Sequence, residues 1–221
     1  MSRALPDPHG TAAGTGSTAG GGVRARLLAA ARQELALVGT SGISLRAIAR
    51  RAGVSHAAPK HHFGDRAGLL TALATEGFQR LSTELQDAGS AAPAPPPDQL
   101  AALGRAYLDR GLRQPALFEL MFRPELLHRD DPNLRRAQQS AFGLLHNAAS
   151  DTAGALPGPP GPGEGELALL AWAFVHGLVA LIRDQAITVV SPTPDTDTET
   201  GADTAQLAHQ LIDAFVDRVQ R

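Results

Sequence analysis

The stretch SLRAIARRAGVSHAAPKHHF, residues 44–63, carries the clearest structural pattern in this chain. It predicts a short helix that begins at Ser44, a turn at Gly53, and a second short helix capped by Ser55. Ala49 lets the second helix cross closely, and Gly53 can take the positive φ that the turn requires. The stretch is therefore predicted to be a helix-turn-helix, a motif whose second helix recognises bases in the major groove of DNA.

Basic side chains are concentrated around this stretch, although the formal net charge of the whole chain is only −2. Residues 23–68 contain eight basic and two acidic side chains, whereas residues 69–221 contain 11 basic and 19 acidic ones. We call residues 23–68 the head and residues 69–221 the body. The basic charge of the head and the acidic charge of the body indicate that the head alone binds a polyanion. A generic helical hairpin would not explain this charge, so we favour DNA binding. For Arg50 and Arg51, a purely solvated role is an equally good alternative.

The head resembles the tetracycline-repressor-like family of bacterial transcriptional regulators over residues 23–78. The resemblance rests on Gly39, Ser44, Ile48, Ala49, Ala52, Gly53, Val54, Ser55, Lys60, His61, His62, Phe63 and Arg66. Residues 171–177, AWAFVHG, are similar to a Trp-x-x-x-His-Gly signature in the carboxyl-terminal domain of one branch of that family. Lys60 stands where the family usually has a tyrosine. The resemblance implies a homodimeric repressor that binds a palindromic operator and is released by a small molecule.

Helical patterns extend through the rest of the chain, and no segment shows the alternation typical of strands. We expect an all-α, two-domain regulator of nine helices. The first carries Leu28 to Val38 and ends at Gly39, the second covers 45–52, and the third follows Ser55. The others are expected at 66–88, 98–113, 115–122, 133–153, 164–187 and 202–220, separated by Pro- and Gly-rich breaks at 91–97, 156–163 and 191–201. The predicted domains are a disordered tail (1–22), a helix-turn-helix DNA-binding domain (23–68), and an effector-binding and dimerisation domain (69–221).

Nine residues of the head are candidate DNA contacts. Ser44 and Arg46 begin the second helix and are expected to meet backbone phosphate. The start of the recognition helix should face base edges, and His56 is its main polar reader, because an alanine can touch only a thymine methyl group. Lys60 and its neighbours should hold phosphate. The full set is Ser44, Arg46, Ser55, His56, Ala57, Ala58, Lys60, His61 and Arg66.

Large side chains in the body are candidates for an effector pocket. They are mostly apolar with a few polar groups, which suggests a lipophilic small molecule, and about half of them are expected to line any cavity. The others should belong to the core. The candidates are Phe78, Tyr107, Phe118, Met121, Phe122, Phe142, His146, Trp172 and His176.

The last two predicted helices are candidates for a dimer interface. Both are apolar over long stretches, and Ala171, Ala173 and Gly177 would let helices approach closely. In the family that the chain resembles, these helices pair with their symmetry mates as a four-helix bundle. We therefore favour a homodimer over an ordinary monomer core, because one head reads too few bases to be specific.

Several function classes have little support in the sequence. The chain has no cysteine, which excludes disulfides, thiolate metal sites and cysteine nucleophiles. Its eight histidines could suggest a metal-dependent enzyme, but they lack the spacing of a known metal motif, and no Gly-rich phosphate loop follows a strand. We expect no enzyme, metal or cofactor. A helical protein-interaction adaptor without specific DNA recognition is the other alternative.

No run of about 18 uninterrupted apolar residues is present, and residues 1–10 lack the apolar segment of a secretory signal. We expect a cytoplasmic protein without a membrane partner.

Overall fold

The computed structural model describes residues 17–91, 95–155, 164–187 and 197–220, which form nine α-helices and contain no strand. The helices are α1 (Ser17–Gly42), α2 (Leu45–Arg51), α3 (Ala58–Phe63), α4 (Arg66–Ser90), α5 (Pro96–Arg113), α6 (Pro115–Met121), α7 (Pro132–Gly154), α8 (Glu164–Arg183) and α9 (Asp197–Val219), with a 3₁₀ turn, η1 (Pro124–Leu126), before α7. The predicted all-α fold is confirmed. Residues 1–16 of the predicted tail, the break at 156–163, and parts of the other two breaks lie outside the described residues.

Helices α1 and α2 enclose the core of the head. The apolar face of α1 buries Leu28 and Leu35, which join Ile48 of α2 in one hydrophobic cluster. Helix α1 begins within the segment predicted as tail and continues three residues past its predicted end. It is interrupted at Gly39, whose φ of 67° only a glycine adopts easily. The helix end predicted at Gly39 is therefore a local interruption of α1, which continues for a last turn to Gly42.

A glycine-dependent hydrogen-bond pattern ends α2. Gly53 has a φ of 64°. The Val54 N–H donates to the Ala49 carbonyl at 3.1 Å, and the Gly53 N–H donates to the Arg50 carbonyl at 3.2 Å. This pair of bonds is a Schellman motif, which satisfies carbonyl groups that the helix end would leave unpaired. The turn predicted at Gly53 is confirmed.

The start of α3 differs from the prediction. Ser55 does not cap this helix; the N-cap is Ala57, and the helix begins at Ala58. The Ser55 carbonyl instead accepts the Ala58 N–H at 3.0 Å, which closes a turn before the helix. Pro59 lies buried in the first turn of α3, where a missing N–H is tolerated. This turn moves the cap two residues downstream of the serine.

The junction between α3 and α4 is tightly built. Asp65 caps α4 by accepting the Gly68 N–H at 2.7 Å, as its position predicted. A Cβ atom on Gly68 would lie 2.0 Å from the Phe63 carbonyl oxygen, so this position requires glycine. The Phe63 ring also lies beneath the Arg24 guanidinium, 5.3 Å from its centroid. The recognition helix is therefore fixed to both α1 and α4.

The body is packed around α4 and α5. Buried leucines and Phe78 line one face of α4, and α5 crosses α8 so closely that a Cβ atom on Gly111 would lie 2.5 Å from Val179 Cγ1. The buried Arg110 donates to Glu84 at 3.0 Å. Burial lowers the pKa of Arg110, and the Glu84 charge opposes that effect. The Glu84 carboxylate thereby compensates the positive charge of Arg110 inside the body.

Helix α8 leaves much of its apolar surface uncovered. Leu169, Leu170 and Leu181 are 60%, 49% and 45% exposed. The window Gly165–Arg183 is long and apolar enough to cross a membrane by length and composition, with 22% of it buried. One such helix is weak support for membrane insertion, because apolar helices at protein interfaces meet the same criterion. The single chain therefore exposes an apolar face of α8 to solvent.

Candidate nucleic-acid interface and effector cavity

The helix-turn-helix leaves most of the predicted DNA contacts open to solvent. Ala58 and Arg66 are half-buried. The exposed ones are Ser44, Arg46, Ser55, His56, Ala57, Lys60 and His61. Within the described residues, the side chains of Arg46, His56 and Lys60 have no hydrogen-bond or ion-pair partner. Their polar groups are available to a ligand.

Three other arginines of the head have partners within the protein, and one of them, Arg32, pairs with Glu76 of α4. Arg51 donates to Glu34 through Nε at 3.1 Å and Nη2 at 2.9 Å, which ties α2 to α1. Arg66 donates to the carbonyl oxygens of Thr40 and Ile43. Both bonds hold the connection between α1 and α2, so the structure gives Arg66 a positioning role. A phosphate contact for Arg66 stays a prediction.

A largely apolar cavity of about 390 Å³ opens in the body between α4, α7 and α8. Its lining residues are Phe78, Met121, Phe122, Pro124, Leu127, Arg129, Leu134, Gln138, Phe142 and Trp172. A second space of about 230 Å³ shares Phe142 and Trp172 with the first and adds Leu145, His146, Ala168 and Leu169. We call the larger space the effector cavity. Six of the nine predicted effector residues line one space or both.

The other three predicted effector residues, Tyr107, Phe118 and His176, lie behind the cavity wall. Trp172 Nε1–H donates to the Tyr107 hydroxyl at 3.0 Å, and that hydroxyl lies 2.9 Å from His176 Nδ1. Because tryptophan can only donate, the Tyr107 oxygen accepts from it, and among the described residues the buried Tyr107 hydroxyl hydrogen finds its acceptor in His176 Nδ1. Nδ1 of His176 therefore carries no proton, which assigns the neutral ring with its hydrogen on Nε2.

Electrostatics favour the neutral forms of both groups. Burial lowers the pKa of His176, and the nearby Arg183 charge lowers it further. Burial also raises the pKa of the Tyr107 hydroxyl well above its usual value. The His176 ring stacks on Phe118 at a centroid distance of 5.6 Å. These contacts make a rigid, uncharged link between α5 and α8.

A polar cleft of about 520 Å³ lies where the head meets the body. Its lining residues are Arg24, His62, Phe63, Gly68, Thr71, Ala72, Thr75, Glu76, Gln79, His128, Asp131 and Asn133. Residues 127–131, which we call the strap, separate this cleft from the effector cavity. Leu127 and Arg129 line the cavity, whereas His128 and Asp131 line the cleft. One short segment is thus shared by two otherwise different spaces.

The strap is bonded to the start of α4. The His128 N–H donates to Thr71 Oγ1 at 2.8 Å, and His128 Nε2 lies 3.4 Å from Asp65 Oδ1. Neither the strap nor Arg129 belongs to the set of site residues predicted from the sequence. In the sequence, an arginine of an irregular segment cannot be distinguished from any other solvent-exposed arginine. Its place beside the cavity becomes visible only when the positions of the neighbouring helices are known.

A metal centre has no support in the described part of the chain, where no group of three or more His, Asp or Glu side chains could hold an ion.

Comparison with known proteins identifies the family. Residues 27–73 match the family described as bacterial regulatory proteins, tetR family, and residues 100–215 match the tetracyclin repressor-like, C-terminal domain. The chain belongs to the TetR family of transcriptional regulators. This TetR-family protein is a DNA-binding regulator and not an enzyme. The alternative of a metal-dependent enzyme is thereby excluded.

Relatives of this TetR-family regulator cover much of its length. It is 31% identical over 137 residues to the HTH-type transcriptional regulator BetI of Paraburkholderia xenovorans, a match that covers 61% of this chain and 69% of the relative. A solved structure of a protein with unknown function from Rhodococcus sp. RHA1 is 29% identical, with a TM-score of 0.68 over 96% of this chain and 98% of the other. The TetR-family regulator PfmR from Thermus thermophilus has a TM-score of 0.59 at 20% identity, covering 85% and 96% of the two chains, and shows the shared fold.

Proposed function

We propose that this regulator is a homodimeric repressor that binds a palindromic operator and is released by a small lipophilic effector in the cytoplasm. Residues 23–68 are its DNA-binding domain, and residues 69–221 bind the effector and form the dimer. The observation that carries the proposal is the exposed set Arg46, His56 and Lys60 around a rigid helix-turn-helix. These side chains have no competing partner among the described residues.

The proposed contacts divide into positioning and reading groups. Ser44, Arg46, Lys60 and His61 hold phosphate, which sets affinity and its salt dependence. His56 reads a base edge in the major groove, and the methyl groups of the two following alanines contact apolar parts of the bases. Arg66 acts mainly by holding the turn between α1 and α2 in place.

The uncovered face of α8 supports a dimer. Leu170, Ala173, Gly177 and Leu181 recur at helical spacing, and Leu170, Ala173 and Leu181 are exposed. A Cβ atom on Gly177 would meet no atom within 4 Å, so a second helix has room to approach there. Pairing of this face with a second copy would remove the apolar surface from water. A palindromic operator presents its two half-sites in successive major grooves, about 34–36 Å apart, one for each head of such a dimer.

The effector cavity supports release by a ligand. Its volume of about 390 Å³ lies within the range of roughly 300–1,000 Å³ typical of small-molecule sites, and its walls are mainly apolar. The strap joins this cavity to the start of α4, directly after the recognition helix. A ligand that favours another position of the strap would change the spacing of the two heads and weaken operator binding.

Competition binding tests the proposal against the adaptor alternative. Fragments of the source genome are selected on the purified chain, and the best one is titrated in excess random DNA. We expect nanomolar affinity for one palindrome, two chains per site, and higher expression of a linked reporter when the regulator is deleted. A chain that binds every fragment equally, or stays monomeric at micromolar concentration, would contradict the proposal.

A further inference from the structure

We propose that the effector cavity takes an amphipathic anion: an apolar chain or ring system with one carboxylate-like group that binds Arg129. This inference rests on the effector-responsive function proposed above and names the chemical class of the effector.

The charge of the lining carries the first step. Arg129 and Gln138 are its polar residues, and no aspartate or glutamate of the described residues lines the cavity. Arg129 is exposed, and its guanidinium has no hydrogen-bond or ion-pair partner within the described ranges. A guanidinium offers a carboxylate two parallel N–H donors, and the Gln138 amide can donate a further hydrogen bond. The polar part of the lining is therefore suited to an anion.

The aromatic walls suit an apolar body rather than a second charge. Phe78, Phe122, Phe142 and Trp172 line the cavity, and the Trp172 N–H is already used by Tyr107. A box of aromatic rings can also bind a quaternary ammonium by cation–π attraction. Here such a cation would share the space with the Arg129 charge and find no carboxylate among the lining residues to balance it. The lining therefore favours the anion.

Phe142 limits the length of the apolar part. This half-buried ring stands between the effector cavity and the second space of about 230 Å³. Trp172 also separates the two spaces, but its hydrogen bond to Tyr107 holds it in place. Removal of the Phe142 ring would join the spaces and admit a longer chain.

The experiment uses the single tryptophan of the chain, Trp172, as a reporter within the cavity wall. Its fluorescence is titrated with decanoate, decanol and decyltrimethylammonium, each below its micelle concentration. We expect decanoate to bind at least tenfold more tightly than the other two. Equal binding of the three, or preference for the ammonium, would overturn the inference.

Substitutions assign the preference to the guanidinium. Arg129→Gln should weaken decanoate binding about tenfold and leave decanol unchanged, and Arg129→Lys should restore part of the loss. Arg80→Gln is the matched control, because Arg80 is exposed on α4, has no hydrogen-bond or ion-pair partner among the described residues and does not line the cavity. Phe142→Ala should shift the preferred chain from decanoate toward tetradecanoate. An unchanged decanoate affinity in Arg129→Gln would also overturn the inference.

The fluorescence readout does not depend on DNA. If the chain selects decanoate but binds no operator, the proposed function fails and the cavity assignment stands. If it binds an operator and ignores the charge of the ligand, the effector class is wrong and the regulatory function stands.

Discussion

The imidazole Nε2 of His128 lies 3.4 Å from the carboxylate of Asp65, the residue that caps helix α4. Both side chains are exposed by half or more, so the contact contributes on the order of 0–1 kcal/mol to stability. Its importance is its position. It joins the wall of the effector cavity to the junction that holds the recognition helix.

Breaking this connection should separate ligand binding from DNA release. In the double variant Thr71→Val/His128→Ala, the strap loses the hydroxyl that accepts its backbone N–H and the imidazole that contacts Asp65. We expect decanoate to bind with unchanged affinity by Trp172 fluorescence, whereas the concentration that releases the operator rises at least fivefold. Thr83→Val is the control, because the Thr83 hydroxyl bonds only within α4. A release curve equal to that of the unmodified chain would show that the strap is not the link.

Gly68→Ala should disturb the recognition helix. The new Cβ atom would lie 2.0 Å from the Phe63 carbonyl oxygen, so the junction must open. We expect a cost of about 1–3 kcal/mol in thermal unfolding and at least a tenfold loss of operator affinity. The control is Gly143→Ala in α7, where a Cβ atom meets open space and should add up to about 1 kcal/mol of stability. Unchanged operator affinity in Gly68→Ala would contradict the proposed rigidity.

Lys60 and His56 should differ in how they affect DNA binding. Lys60→Ala is expected to weaken binding to all sequences alike and to lower the slope of log affinity against log salt by about one. His56→Ala should instead change the preferred base and leave that slope unchanged. Titrations of operator variants at several salt concentrations distinguish the two, with Arg136→Ala on the body as control. A changed base preference in Lys60→Ala without a salt effect would reverse the assignment.

The half-buried His176 should make the protein less stable in acid. Its pKa in the folded state lies below the ordinary value of 6.5, so the unfolded chain binds a proton more readily. Stability from this residue is complete above about pH 6.5. It falls by up to about 1.4 kcal/mol for each pH unit below that, until the folded-state pKa is reached.

His176→Gln tests this dependence, because its amide oxygen can still accept the Tyr107 hydroxyl but does not titrate. The midpoint of thermal unfolding should fall less between pH 7.5 and pH 5.5 in the variant than in the unmodified chain. An equal fall in both would assign the acid sensitivity to other groups.

Much of the fold could be predicted because helical signals are local. The leucines of α4 and the cap at Asp65 predicted a helix over 66–88, and the structure has Arg66–Ser90. Gly53 likewise predicted the turn of the helix-turn-helix. The assignment of Ser55 as a cap was wrong, because a cap depends on backbone angles that the following turn determines.

The proposed effector site was only partly predictable. Large aromatic residues such as Phe78 and Trp172 were identified by their chemistry. The contributions of Arg129 and Gln138 were missed, because no periodic pattern passes through the strap and a polar residue gives no signal of the cavity beside it. Which aromatic residues line the wall and which stand behind it depends on how the helices cross.

The contact between Gly111 and Val179 has a consequence for the motion of the proposed dimer. Because Gly111 has no side chain, the backbone of α5 packs directly against Val179 of α8. The hydrogen bond between Trp172 and Tyr107 connects the same two helices. We therefore expect α5 and α8 to move as one unit. If α8 forms the interface between subunits, a ligand that expands the cavity would move α8 and so shift that interface. No charged group would need to change its protonation.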